Sequence, residues 1–331
     1  MLKAAMIGLG WWGRHMVRVM ASSEALRFVA LAAGHPERHR DFAEETGIPL
    51  LSGFDAVLAH PEVEAVVLCT PHSQHESQVL AAFAAGKEVF CEKPVALNRA
   101  SSDRMLAAAA RGNHILGVGH ERRFEPTMEA IAAAVAGGEI GVPMHVEANF
   151  SHDILVGIDP ASWRVAPEEG PSPGMTGMGV HVSDLMIAML GPVSAVCATR
   201  ADRVLGFPTG DVVTVSLRFH CGATGLIAAV AATPYYSRFT LFADRMWLEA
   251  RDSGHPQHGG ETYLTRCGKD GVQSAEALPP RDAVRANLEE WARAVGGQGT
   301  YRFAPDEIRN NAAVLEAVGT SAEKGGWVTI D

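Results

Sequence analysis

Over the first 120 residues, short apolar runs rich in β-branched side chains alternate with amphipathic, alanine-rich stretches. Strands covered on both faces read as continuous apolar runs, and their alternation with helices builds βαβ units around a parallel sheet. The pattern predicts strands at Ala4–Gly8, Phe28–Ala32, Ala65–Thr70, Glu88–Cys91 and Ile115–Val118. Helices are expected over Gly13–Ala21, Glu37–Thr46, Gln74–Ala85 and Arg99–Ala110. Past Gly119 the rhythm changes. Runs with strand alternation at His145–Phe150, Asp211–Phe219, Thr224–Val230 and Arg245–Ala250 lie between Gly/Pro/Asp turns, which points to mostly antiparallel strands. Helices interrupt or close this part at His181–Leu190, Arg281–Val295 and Asp306 to about Glu323. Two domains are expected, residues 1–120 and 121–331, with no internal repeat.

The first strand leads into Gly8-Leu9-Gly10-Trp11-Trp12-Gly13 and then a helix. In that context G-x-G-x-x-G is a dinucleotide-binding turn. The first glycine permits the tight turn, the second lets a pyrophosphate reach the backbone, and the third allows helix to pack on strand, while the helix N-terminus favours the phosphate charge. Trp11 and Trp12 are unusual here, and at least one is expected over the cofactor or against the second domain. An acid at the end of the second strand normally binds the ribose 2′-hydroxyl of NAD. Here Ala33 stands in its place, followed by His35, Arg38 and His39. These cations suit the 2′-phosphate of NADP(H), which is therefore favoured, with NAD(H) the alternative. A plainer reading has Arg38 and His39 solvating the start of the next helix.

A formal charge of −10 and the lack of any Lys/Arg-rich run disfavour nucleic acid and anionic membranes as partners, leaving a small molecule. No apolar run approaches the roughly twenty residues of a bilayer span, and the chain enters a strand without a signal-like segment, so a cytoplasmic protein is expected. The five scattered cysteines lack C-x-x-C spacing, as suits reduced thiols; Cys69 and Cys91 read as small core residues at strand ends. His152-Asp153 and His255-Pro256-Gln257-His258 read as loop residues, and no metal site is expected.

The fourth strand ends in Glu92-Lys93-Pro94. Parallel strands deliver their C-terminal residues to the ligand crevice, which directs Lys93 towards the nicotinamide side of a bound cofactor. The glycine turn, Thr70-Pro71-His72 with His75, Glu92-Lys93-Pro94, Arg122-Arg123-Phe124 with Pro126, Trp163-Arg164, and Gly179-Val180-His181 with Asp184 follow one another along nearly the whole chain. In this combination the sequence resembles the Gfo/Idh/MocA oxidoreductases. The resemblance implies an α/β protein with an N-terminal Rossmann doubly wound parallel sheet and a C-terminal α/β domain with a large, mostly antiparallel open sheet. It further implies NAD(P)-dependent oxidation or reduction of sugars, cyclitols or related polyols, and a homo-oligomer built through the open sheet.

Hydride transfer at a secondary alcohol needs a group that handles the hydroxyl proton and a donor that stabilises charge on oxygen. Lys93 can fill either role once burial and a cationic nicotinamide lower its proton affinity. The resemblance implies that His181 faces the lysine across the substrate as partner acid/base or hydroxyl ligand; a helix-start histidine meeting solvent is the bland alternative. It also places Arg123, Trp163 and Arg164 near nicotinamide and substrate. An aromatic wall with a guanidinium fork suits a polyhydroxylated or carboxylated ligand, and Arg164 in particular suits an acid group. Thr70, Pro71, His72, His75, Glu92 and Arg164 complete the expected cofactor residues, though His75 is as well explained by holding a turn.

One position departs from the family. Its usual Asp-x-Gly-x-His has an acid four residues before the histidine, where this chain has Gly177. Asp184, one helical turn beyond His181, is left to bind substrate or to fix the helix. Besides an oxidoreductase acting on a sugar, cyclitol or glycoside, the substitution leaves open a redox-neutral lyase or glycosidase using a held cofactor, and a cofactor-binding sensor with little turnover.

Overall fold

The computed structural model describes residues 1–172, 174–254 and 260–330. Backbone contacts divide them into two compact units. The first comprises Met1–Ala96, Ala100–Glu121 and Asp282–Pro305; the second comprises Leu97–Arg99, Arg122–Arg281 and the chain from Asp306 onward.

In the first unit Leu2–Ile7 (β1), Leu26–Ala32 (β2), Ala65–Leu68 (β3), Glu88–Cys91 (β4) and Gly117–Val118 (β5) form a parallel Rossmann sheet in the order β2-β1-β3-β4-β5. The order reverses between β1 and β3, the place where doubly wound sheets open a crevice for ligands. Several expected elements come out shorter, two of them for a clear local reason. The helix foreseen over Glu37–Thr46 begins as a 3₁₀ turn, Pro36–His39; the chain leaves helical geometry at His39 (φ −126°), and only Arg40–Thr46 is α-helical. β5 lacks Ile115, whose backbone bonds to side chains instead of a ladder. Its N–H donates to Glu88 Oε2 at 3.1 Å and its carbonyl accepts from the Trp291 indole at 2.9 Å.

That indole belongs to helix Ala283–Val295, which the sequence boundary at residue 120 had assigned to the second domain. Contacts count it with the first unit instead. Leu288 and Trp291, both fully buried, join Met6, Leu31, Val67 and Phe90 in one apolar cluster. Asn287 also donates to the Val118 carbonyl at 2.9 Å. The amphipathic pattern was legible, but nothing local in it says which sheet the apolar stripe covers.

The second unit is built on Pro143–Ser151 (β6), Val193–Ala201 (β7), Val212–Phe219 (β8), Thr224–Val230 (β9), Tyr236–Ala243 (β10), Met246–Asp252 (β11), Thr262–Gly268 (β12), Gln273–Leu278 (β13) and Trp327–Thr329 (β14). They form one sheet in the order β13-β12-β11-β10-β6-β9-β8-β7-β14. Every pairing is antiparallel except β6 with β9. Val146, Ile227, Leu241, Leu248 and Leu264 line its core face, packed in one cluster with Leu185, Met186, Val314 and Val318 of helices Val180–Leu190 and Pro305–Lys324. On the other face, neighbours in register run Ser216, Leu226, Glu147, Thr240, Glu249 and Thr265.

Because Trp291 fills the Rossmann core, Trp291→Ala is expected to cost about 3–5 kcal/mol of that unit's stability. Denaturant unfolding followed through cofactor-dependent fluorescence measures it; an unchanged midpoint would place the helix outside the cooperative unit.

Candidate active site

Apart from Arg164, which lies in the second unit, the cofactor residues expected from sequence stand in segments that follow strands of the parallel sheet. Gly8 follows β1, Ala33 follows β2, Thr70, Pro71 and His72 follow β3, and Glu92 with Lys93 follow β4. Gly8 has φ +95°, and a Cβ there would lie 2.3 Å from the Cys69 carbonyl oxygen. A Cβ at Gly13 would lie 2.0 Å from the Gly8 carbonyl oxygen. A Cβ on Gly10 would meet nothing within 4 Å, and Gly10 heads helix Trp11–Val19 with no side-chain cap. Two glycines are thus needed for packing, and the third leaves open space before uncapped backbone N–H groups. That cradle fits the pyrophosphate of a dinucleotide.

Trp11 is half exposed and sets its ring against that of Trp12 at 5.1 Å; Trp12 in turn stacks on His15 at 5.2 Å. After β2, His35 and Arg38 are exposed, His35 beside Glu37 at 3.4 Å. His39 does not join them as a cation. Its Nδ1 lies 3.1 Å from Arg14 Nη2, and burial together with that guanidinium lowers its proton affinity. Arg14, absent from the sequence-based site, also reaches Asp41 at 3.2 Å and the Leu9 carbonyl at 3.3 Å, tying the glycine turn to the segment after β2. Its place directly after Gly13 was the available signal.

The lysine turn is held from both sides. His75, fully buried, sets Nδ1 2.9 Å from the Pro94 carbonyl and Nε2 3.1 Å from that of Thr70, joining the ends of β3 and β4. The ring therefore positions this turn. The Lys93 N–H donates to Glu92 Oε2 at 3.2 Å, and the Lys93–Pro94 peptide is cis. The Glu92 carboxyl occupies the space a Cβ on Gly119 would take, 2.5 Å away. Burial raises its proton affinity, opposed by the Lys93 ammonium and the nearby Trp12 indole. Lys93 itself is half-buried. Burial also pushes the thiols of Cys69 and Cys91 well above their ordinary range, so neither is a ready nucleophile.

In the second unit a π-helical turn, Met175–Gly179, leads into helix Val180–Leu190 and buries His181 near its start. Such turns interrupt regular helices mostly at functional positions. Nothing lies within 4 Å of where a Gly177 Cβ would stand, so the carboxylate usual in the family is missing without being replaced by packing. The His181 ring meets the edge of Phe150 at 6.2 Å, and Phe150 also contacts Tyr235 and His152 at 6.2 and 5.5 Å. Arg122 lies over Phe150 at 4.5 Å; it and the Tyr235 hydroxyl both donate to Asp252 Oδ2 at 2.9 Å. Phe150 and Tyr235 match no motif and are found only from the fold.

Arg123 and Asp184 are joined to each other, Nε and Nη2 donating to the two carboxylate oxygens at 2.6 Å each, with Arg123 also on Glu307 at 2.7 Å. Of the two roles open to Asp184, this pairing serves to fix the helix. Trp163 and Arg164 share the 3₁₀ turn Trp163–Val165, the guanidinium 4.5 Å over its neighbour's indole. Residues 255–258 lie outside the described residues. Among the described residues no group of three or more His, Cys, Asp or Glu converges as a metal site, and no helix is long and apolar enough to cross a membrane.

Residues 2–120 match the family model described as an oxidoreductase family with an NAD-binding Rossmann fold, and residues 128–249 match the GFO/IDH/MocA C-terminal domain. Fold and glycine cradle together define an NAD(P)-binding oxidoreductase acting on CH–OH groups. The chain belongs to the Gfo/Idh/MocA family. Similar proteins include the myo-inositol 2-dehydrogenase of Thermotoga maritima, 30% identical over 74% of this chain and 73% of that one. The D-xylose 1-dehydrogenase (NADP(+)) 2 of Haloferax volcanii is 29% identical over 91% of each. A crystal structure of aldose-aldose oxidoreductase from Caulobacter crescentus superposes with a TM-score of 0.86 at 25% identity, over 99% of both chains.

Breaking a buried ion pair strands a charge, so Asp184→Asn is expected to cost about 3–5 kcal/mol in the protein without ligands. A melting temperature equal to that of the unsubstituted protein would return Asp184 to the substrate site.

Proposed function

We propose that the protein is an NADP(H)-preferring oxidoreductase that moves a hydride to or from the carbinol or carbonyl carbon of a sugar, cyclitol or glycoside, with Lys93 and His181 as its acid/base groups. The observation that carries the reading is Lys93 at the end of β4, on a turn held by Glu92 and His75, along the edge that bears the Gly8–Gly13 cradle. A nicotinamide dinucleotide bound there supplies the hydride acceptor or donor. In the oxidative direction the alcohol C–H leaves with its electron pair, and Lys93 takes the hydroxyl proton. Lys93 is half-buried at that edge, and its amine is the group offered as base. His181 binds a substrate hydroxyl or exchanges its proton, with the Phe150 ring packed at an angle to the imidazole.

The NADP(H) preference rests on two features: Ala33 stands directly after β2 in place of a carboxylate, and Arg38 is exposed close behind it. The two named dehydrogenases above support a polyhydroxylated substrate. On the outward sheet face Leu226, Tyr236 and Tyr263 remain exposed around the Arg238–Glu147 pair, a surface suited to association of like subunits.

Three outcomes are expected. A polyol screen gives substrate-dependent change in nicotinamide absorbance, which Lys93→Ala abolishes while leaving cofactor affinity within about threefold; unchanged turnover would reject the role of Lys93. Arg38→Ala weakens NADPH binding about tenfold or more, an effect of the size of one charge-assisted contact, and leaves NADH unaffected; equal effects on both would remove the preference. Light scattering gives a mass of two or more chains, and Leu226→Arg lowers it; a monomer in the unsubstituted protein would dismiss the association.

A further inference from the structure

Arg164 differs from six other arginines withdrawn from water in the second unit. Arg122, Arg123, Arg200, Arg238, Arg266 and Arg309, all buried or half-buried, each stand within ion-pair distance of a carboxylate. Arg164 has no carboxylate partner and no hydrogen-bond acceptor for its guanidinium among the described residues; its one charge-related contact is the face of Trp163, 4.5 Å away. Burial alone acts on its proton affinity, lowering it. Withdrawing a cation from water without a counter-charge is unfavourable, and an anionic ligand at the guanidinium would offset that cost.

The surrounding turn is built to hold that guanidinium still. The Ser162 hydroxyl accepts from the Arg164 N–H at 3.4 Å and caps the turn. The next residue, Val165, is buried in the same apolar cluster as Met175, Met178 and Val182, the residues that bracket Gly177 and His181. Trp163 covers one face of the guanidinium plane, and the N–H groups around its rim remain to take two parallel hydrogen bonds.

We propose that the substrate is an acid sugar, an aldonate or uronate, whose carboxylate Arg164 binds through that rim. The inference rests on the oxidoreductase reading and names the substrate class within it. A carboxylate suits the site better than a phosphate. One guanidinium neutralises a monoanion, whereas a dianion would need a second cation. A chain with a formal charge of −10 repels anions at long range, so an acid substrate requires a local cation of this kind.

The test uses ligands differing only in the acid group: methyl β-D-glucopyranoside against its glucuronate, the galacto-configured pair, and xylitol against D-xylonate. Each is assayed with NADPH or NADP and with NADH or NAD, as its direction requires. For at least one pair kcat/KM favours the acid at least tenfold. Arg164→Gln brings that ratio to within about twofold of unity by raising KM for the acid more than for the neutral member, and Arg164→Lys restores part of it. The proposal is overturned if the unsubstituted protein uses the neutral members as well as the acids, or if Arg164→Gln slows both alike. Calorimetric dissociation constants for NADPH and NADH stay within twofold in Arg164→Gln; a tenfold loss assigns the guanidinium to cofactor phosphate and likewise overturns it. If no member of any pair is turned over, the redox reading has failed separately. Calorimetry with cofactor bound then decides for Arg164: acid-selective binding lost in Arg164→Gln upholds the carboxylate site, and its absence rejects it.

Discussion

The close approach of Gly13 to the carbonyl of Gly8, which leaves no room for a Cβ, sets the geometry of the turn along that edge. Any side chain at position 13 would push the following helix away from β1 and turn its uncapped N–H groups aside. Because that contact is fixed, Arg14 directly after it reaches the segment beyond β2. The ends of β1 and β2 are thereby referred to one turn, and His75 joins β3 to β4 through the carbonyls of Thr70 and Pro94. A cofactor edge assembled this way holds its shape through backbone contacts, the buried His75 hydrogen bonds and the partly exposed Arg14–Asp41 pair.

Buried charge is handled differently in the second unit. Arg122 and Arg123 are adjacent in sequence yet each has its own carboxylates, Glu125 with Asp252 and Asp184 with Glu307. These pairs connect the segment opening the unit to a distant strand and to both core helices. Against that background an arginine kept from water without a carboxylate stands out, because the same chain matches such groups elsewhere.

Much of this was legible in the sequence. The five parallel strands follow from continuous apolar runs, and the glycine turn from its spacing between strand and helix. Harder to read were β7, β10, β12, β13 and β14 and helix Pro126–Ala136, none of which was foreseen. Gln273–Leu278 carries almost no apolar signal because, as an edge strand, it is exposed on nearly every residue. The site shows the same division. Lys93, His181 and the glycines carry motif signals, whereas Phe150 and Tyr235 acquire meaning only when β6 and the start of β10 bring them together. Arg123 and Asp184 looked like substrate residues because side-chain type does not disclose that they neutralise one another.

Helix Ala283–Val295 closes the Rossmann core from far along the polypeptide. During synthesis the first 120 residues therefore leave the ribosome with the apolar seat of Trp291 and Leu288 still uncovered, and most of the second unit must emerge before the first can be completed. The usual order, in which an N-terminal domain finishes folding before the next begins, does not apply to this chain. A nascent form with part of a parallel sheet exposed persists for much of translation, which makes this arrangement sensitive to premature termination and to the availability of chaperones.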